Sequence, residues 1–277
     1  MGMAEGKVAV ISGAARGQGR SHAVRLAQEG ADIIGLDICE DVSTMTYPNA
    51  SKADLDETVA LVEAEDRQIY AAVCDIRDAE ATKAAVDAGV AQFGRLDIVL
   101  SNAGIVRLGA TPAELEVATW KDTLEINLTG GYHLLRAAIP HLIAGGRGGS
   151  IILTGSTAGT RPTASTDAAG LSYTASKWAL RGIGIQLAGA LAPHSIRVNV
   201  IHPTGVLSGM TMNEAMAALQ AEAMAGGANT ISAMQNALPV DILEANDISD
   251  TVVFLVSDQA KYITGVSLPI DAGFSIR

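Results

Sequence analysis

The chain has 277 residues, 48% of them hydrophobic, and 30 Asp and Glu against 19 Lys and Arg, giving a formal charge of -11 and a pI near 4.8. That length and apolar content support a sizeable core. The acidic balance speaks against nucleic acid or an anionic membrane as a partner, since both are held by basic patches.

Short apolar runs alternate with longer helical patterns along the chain. Residues 7–13 (KVAVISG) read as a buried strand, followed by a glycine-rich turn and a helix over 17–29. Strands follow at 31–37, 68–75, 96–104, 149–156, 196–203 and 265–271. Helical patterns lie between them at 54–66, 78–93, 112–143 (long enough for two helices), 172–191 and 246–257. Strands that are apolar throughout imply a sheet covered on both faces, and their alternation with helices implies a parallel, doubly wound α/β sheet in one domain. Two excursions break the rhythm: an insertion at 39–54 and a Met/Ala-rich stretch at 204–245. Both fall beyond the carboxyl ends of strands, where open α/β sheets bind ligands.

The turn after the first strand, SGAARGQG, places Gly13, Gly17 and Gly19 as G-x-x-x-G-x-G. Glycines there let the backbone approach a pyrophosphate, and the following helix offers free N–H groups and a positive dipole end. Alone, the pattern also fits a tight turn. Asp37 strengthens it, because an acidic side chain ending the second strand can accept hydrogen bonds from ribose hydroxyls and repel a 2′-phosphate, favouring NAD over NADP. Arg16, in the turn, pulls the other way.

Tyr173 and Lys177 stand four residues apart in YTASK, so a helix brings them onto one face. A phenol with a pKa near 10 is a poor base, and a nearby ammonium is expected to lower it into a useful range. Ser156, ending the fifth strand, can hold a substrate oxygen. The side-chain amide of Asn127 is placed to hold a water.

These residues carry a resemblance. The chain resembles the short-chain dehydrogenase/reductases along nearly its whole length, through SGAARGQG, CDIRD after the third strand, SNAG after the fourth, Asn127, Ser156, YTASK and IHPTGV after the sixth. The resemblance implies a Rossmann-type sheet of seven strands and a catalytic tetrad of Asn127, Ser156, Tyr173 and Lys177. It implies cofactor contacts from the turn (Gly13, Arg16, Gly17, Gln18, Gly19), from Asp37 and Ile38, and from Asp75 and Ile76 beside the adenine. Asn102, Ala103 and Gly104 would pass under the cofactor. Tyr173 and Lys177 would lie by the nicotinamide ribose, and Pro203, Thr204 and Val206 by the nicotinamide. The Pro-Thr step at 203–204, where the family usually has Pro-Gly, and the 39–54 insertion look most like the carveol-dehydrogenase-type, mycofactocin-associated branch. That likeness implies a small apolar alcohol or ketone as substrate, tightly held NAD and an external electron acceptor. It also implies a homotetramer packed through helices 112–143 and 172–191.

The implied activity is hydride transfer between NAD and a secondary alcohol or ketone. Alternatives are an NADPH-dependent reductase of carrier-bound 3-oxoacyl chains, against which Asp37 argues, and a non-catalytic NAD-binding regulator, which would need neither Tyr173 nor Ser156. Five scattered histidines give no metal spacing, so no metal is expected. His202 reads as a structural hydrogen-bonder. Met210, Met212, Met216, Met224 and Met234 fit either a substrate pocket or ordinary packing. Cys39 and Cys74 form no C-x-x-C and read as structural thiols of a reducing compartment. With no signal peptide or span visible, a cytoplasmic protein is expected.

Overall fold

A computed structural model describes residues 2–107, 116–161, 168–225 and 236–277. The strands among these residues are β1 Val8–Ser12, β2 Asp32–Asp37, β3 Ile69–Val73, β4 Ile98–Ser101, β5 Gly149–Thr154, β6 Ile196–Pro203 and β7 Ser267–Ile270. They form one seven-stranded sheet in the order β3-β2-β1-β4-β5-β6-β7, parallel throughout. The helices are α1 Gly17–Gln28, α2 Lys52–Glu63, α3 Ala79–Phe93, α4 Val117–Leu124, α5 Gly131–Gly145, α6 Ala168–Leu191, α7 Glu214–Ala225 and α8 Ala245–Val256.

Successive strand residues point to opposite faces, and both faces here are covered. Ala9 and Ile11 of β1 join Ile33, Leu100, Leu26 of α1 and Val252 of α8 in one core layer. Val8 and Val10 join Ile34, Leu36 and the α5 leucines Leu134 and Leu135 in the other. None of these side chains is more than 3% exposed, and burying each large one contributes about 1.5–3 kcal/mol. This is why the strands read as unbroken apolar runs.

Several boundaries differ from those expected. β3, β4 and β7 are shorter than 68–75, 96–104 and 265–271, because their polar or glycine-bearing ends leave the sheet as loops. α2 begins at Lys52, where Ser51 and Asp54 form a reciprocal capping box, so the insertion ends at Ser51, three residues sooner than 39–54. α6 begins at Ala168, before the expected 172. The pattern over 112–143 divides into α4 and α5 through a π-helical turn at Glu125–Gly130, and residues 112–115 lie outside the described residues. Within 204–245 a helix appears that the sequence did not announce. α7 is Ala- and Met-rich all round and so carries no amphipathic period to read. Among the described residues no helix is long and apolar enough to cross a membrane.

Candidate active site

The sheet order reverses direction between β1 and β4, and a crevice opens there beyond the carboxyl ends of the strands. Eleven expected cofactor residues line it: Gly13, Arg16, Gly17, Gln18, Asp37, Ile38, Asp75, Ile76, Asn102, Ala103 and Gly104. α1 starts at its rim. Gly17 has φ +55, and a Cβ on Gly19 would lie 1.8 Å from the Gly13 carbonyl oxygen, so only glycine permits this turn. No side chain caps α1, its first turn holds no acid, and the buried Oε1 of Gln18 has no hydrogen-bond partner. An uncapped helix start of this kind suits an anionic group such as a pyrophosphate.

Asp37 is 8% exposed, and its carboxylate accepts from the N–H groups of Ala15 at 2.9 Å and Cys39 at 3.1 Å. Arg16 is already engaged: its Nη2 donates to the Pro48 carbonyl at 2.6 Å, and its guanidinium packs so close to Gly209 that a Cβ there would sit 2.9 Å from Cζ. A guanidinium held between the insertion and the 204–213 loop is a poor reader of a 2′-phosphate. At Asp75 burial opposes ionisation, but the hydrogen bonds from Arg77 outweigh it and hold the carboxyl below its ordinary range. Gly19, Pro203, Thr204 and Val206 do not line the crevice. Gly19 is buried in α1, Thr204 N donates to Ile270 O at 3.3 Å, and Val206 is 3% exposed beside Leu243.

The four expected catalytic residues meet at the inner end. Ser156 follows β5; its hydroxyl accepts from Ala158 N at 3.2 Å and lies near enough to the Tyr173 phenol on α6 to pull its pKa down. Lys177, one turn on, places Nζ 5.4 Å from the Tyr173 ring centre and donates to the Thr154 carbonyl at 2.8 Å. Gly104 joins this group to the crevice, since a Cβ there would lie 3.3 Å from Asn127 Oδ1 and 3.4 Å from Lys177 Nζ.

Two expectations need correction. Burial raises the Tyr173 pKa, with Ser156 working against it, so desolvation outweighs any help from Lys177. Burial likewise lowers Lys177 to about 8. The amide of Asn127 is also engaged mainly with protein groups, both Nδ2 donors being taken and Oδ1 keeping one lone pair. Its Oδ1 accepts from Ile105 N at 2.8 Å, and its Nδ2 donates to Ile105 O at 2.9 Å and to Ser176 Oγ at 3.3 Å. Asn127 therefore staples the loop after β4 to the π turn. Ser176, which donates to Tyr173 O at 2.6 Å, extends the staple to α6. His202 is fully buried and its Nδ1 lies 2.8 Å from the Ser156 carbonyl, in keeping with the structural role expected of it.

Sequence reasoning missed Ser176 and the individual wall residues Val42, Tyr47, Asn49 and Ala50 of the insertion and Ser208 and Gly209 of the second excursion, whereas Met210, named as a possible pocket residue, does line the crevice. Val42 and Met45 pack with Ile76, Ile105 and Ile126 beside the crevice. Apolar residues inside the otherwise polar 39–54 stretch were the available signal. Met212 is 64% exposed, while Met234 and the side chain of Met224 lie outside the described residues. Among the described residues no three His, Cys, Asp or Glu side chains group where they could hold a metal.

The model of the short chain dehydrogenase family matches residues 7–218. The chain belongs to that family. It is 47% identical to carveol dehydrogenase from Mycobacterium avium, whose crystal structure in complex with NAD superposes with a TM-score of 0.93 over 100% of both chains. A short chain dehydrogenase from Mycobacterium paratuberculosis, bound to NAD, matches at 42% identity and TM-score 0.93, again over 100% of both. (-)-trans-Carveol dehydrogenase of Rhodococcus erythropolis is 42% identical over 281 residues, covering 100% of each chain. The family likeness thus spans the insertion and the 204–245 excursion as well as the core.

Proposed function

We propose that this short-chain dehydrogenase oxidises a secondary alcohol of terpene-like, carveol-like character with NAD, or reduces the matching ketone. The observation that carries the reading is Lys177 Nζ 5.4 Å from the Tyr173 ring centre, with Ser156 close enough to pull on the phenol, at the inner end of a crevice that opens on an uncapped helix N-terminus. The residues fit the dinucleotide: α1 and Gln18 offer unpartnered polar groups to a pyrophosphate, and Asp37 faces the ribose position. When bound, NAD would supply the acceptor for the hydride of the carbinol carbon. Tyr173 removes the hydroxyl proton, and the Ser156 hydroxyl holds the same oxygen as it becomes a carbonyl. Lys177, fixed by Thr154, places its ammonium beside the Tyr173 ring, where it holds the α6 side of the site in position. Asn127 works through Ile105 and Ser176, keeping the crevice floor and α6 in register.

The insertion covers the bound dinucleotide and slows its exchange, so that an external, mycofactocin-like acceptor would reoxidise it in place. Supporting this, Val42, Tyr47 and Ala50 wall the crevice and Arg16 holds Pro48. A homotetramer in the cytoplasm completes the reading. Tyr132 and Ile185, 55% and 54% exposed on α5 and α6, support packing of subunits through those helices.

Hydride transfer measured over terpenoid, steroid, sugar and simple alkanol panels, with NAD and NADP and with and without an artificial acceptor, tests the proposal. Turnover of terpenoid alcohols with NAD is expected. Preference for NADP would favour the carrier-bound acyl ketoreductase, and no turnover at all would favour a regulator that only binds NAD. Denaturing the purified protein should release dinucleotide into the supernatant, and a cofactor-free preparation would count against tight retention.

A further inference from the structure

We propose that Tyr47, on the insertion, is a cofactor-binding residue whose hydroxyl donates a hydrogen bond to an oxygen of the nicotinamide-side ribose and phosphate of the bound dinucleotide. The inference rests on the NAD reading above.

Tyr47 lines the crevice and is only 7% exposed. Its hydroxyl oxygen accepts from the Val106 N–H at 3.3 Å. A phenol that accepts one bond still has a proton to donate, and among the described residues no acceptor meets it. Burial first, and the neighbouring Tyr173 second, raise the Tyr47 pKa against the opposing pull of the Val106 N–H and of Arg16, so the group stays a neutral donor. Those same neighbours locate it: Arg16 stands at the glycine turn and Tyr173 at the chemical end, and Tyr47 lies within electrostatic reach of both.

The surrounding segment is held in place. Thr44 donates to Asp122 at 2.7 Å, Asn49 N donates to Asp41 at 2.6 Å, and the Pro48 carbonyl accepts from Arg16. A buried hydroxyl proton without an acceptor, on a segment so tied down, points to an acceptor that arrives with a ligand. The dinucleotide half between the turn and Tyr173 carries several such oxygens and no competing donor of similar strength.

The test is Tyr47→Phe, which keeps the ring and removes the hydroxyl. Dissociation constants for NAD, ADP-ribose and AMP are measured by titration calorimetry on the full chain after dialysis, with a thermal melt to confirm folding. NAD and ADP-ribose should each bind about tenfold more weakly, the scale of one hydrogen bond to a charged or polar acceptor. AMP, which lacks the half in question, should stay within about twofold. Unchanged NAD and ADP-ribose affinity in the variant, with wild type binding NAD normally, overturns the role of Tyr47 and leaves the NAD reading standing. An equal loss for AMP also overturns it, because the hydroxyl would then only pin the insertion to Val106. Wild-type protein that releases no dinucleotide on denaturation and also binds none overturns both.

Discussion

The helices that begin around the sheet's carboxyl edge treat their first turns in opposite ways. α2 is closed by a capping box between Ser51 and Asp54, and α3 by Asp78, which accepts from the N–H groups of Glu80 and Ala81. α1 has no cap, no acid in its first turn and a glutamine oxygen buried without a partner. The same contrast runs along the crevice. At its inner end Asn127, Ser156 and Lys177 have protein partners for their polar groups, while the glycine turn leaves its groups open. Polar groups that position other groups are satisfied within the fold. Those meant for a ligand are left wanting one, and the protein tolerates the cost until it binds.

The largest effect should come from the inner end. Tyr173→Phe is expected to cut turnover roughly 10²–10⁴-fold, the usual loss for a general acid–base group, while NAD affinity measured by titration changes far less. A variant with undiminished turnover would remove Tyr173 from the chemistry. One that lost NAD binding to the same degree would erase the contrast between the two ends.

Lys177 sharpens the comparison through pH. Its ammonium is buried, with a pKa lowered to about 8 in the folded protein from an ordinary value of 10.5. Between these values the unfolded chain binds more protons than the folded one, so the stability of cofactor-free protein should rise as pH increases from about 8 to 10.5. The rise has an upper scale of about 3 kcal/mol. Below pH 8 both states carry the proton and this contribution is flat. Denaturant titrations across that window check it, and Lys177→Met should flatten the curve; an equal rise in the variant would assign the effect elsewhere.

Much of this was legible in the chain. The parallel, doubly wound class followed from apolar runs alternating with helical patterns, because strands buried on both faces are apolar throughout. SGAARGQG, Asp37 and YTASK marked the crevice because glycine geometry and i,i+4 spacing are local properties. What escaped reading was tertiary. Nothing in the spacing of Asn127 says that Ile105 takes both ends of its amide, and Y-x-x-x-K does not say that burial outweighs the neighbouring charge at Tyr173. The 39–54 insertion was expected at the ligand-binding edge, but which of its residues form the crevice wall depends on how it folds back, and that brings Val42 and Tyr47 there.

At the open end, Gln18→Glu places a carboxylate in the first turn of α1. The charge should complement the helix dipole and stabilise the cofactor-free protein by about 0.3–1 kcal/mol. It should also repel the pyrophosphate, weakening NAD about tenfold, the equivalent of about 1.4 kcal/mol. Stability and affinity thus move in opposite directions. Melting temperature and NAD titration on one preparation read both, and parallel movement of the two would mean that this helix start does not face the dinucleotide.

The matching change at a closed helix completes the set. Ser51 accepts from Asp54 N at 3.2 Å, while Asp54 Oδ2 accepts from Ser51 N at 2.7 Å. The hydrogen bonds from Ser51, backbone and hydroxyl, also keep the Asp54 carboxyl below its ordinary range, against a small opposing effect of burial. Ser51→Ala removes one half of the box and should cost about 1 kcal/mol of stability, the typical value for a lost N-cap. Ser51 does not line the crevice, so NAD affinity should hold within about twofold. A loss of stability without a loss of affinity would show that capping α2 serves the fold alone. If NAD binding fell with it, the insertion that ends at this cap would be shaping the dinucleotide site through α2, and the division between satisfied and open helix starts would no longer separate structure from binding.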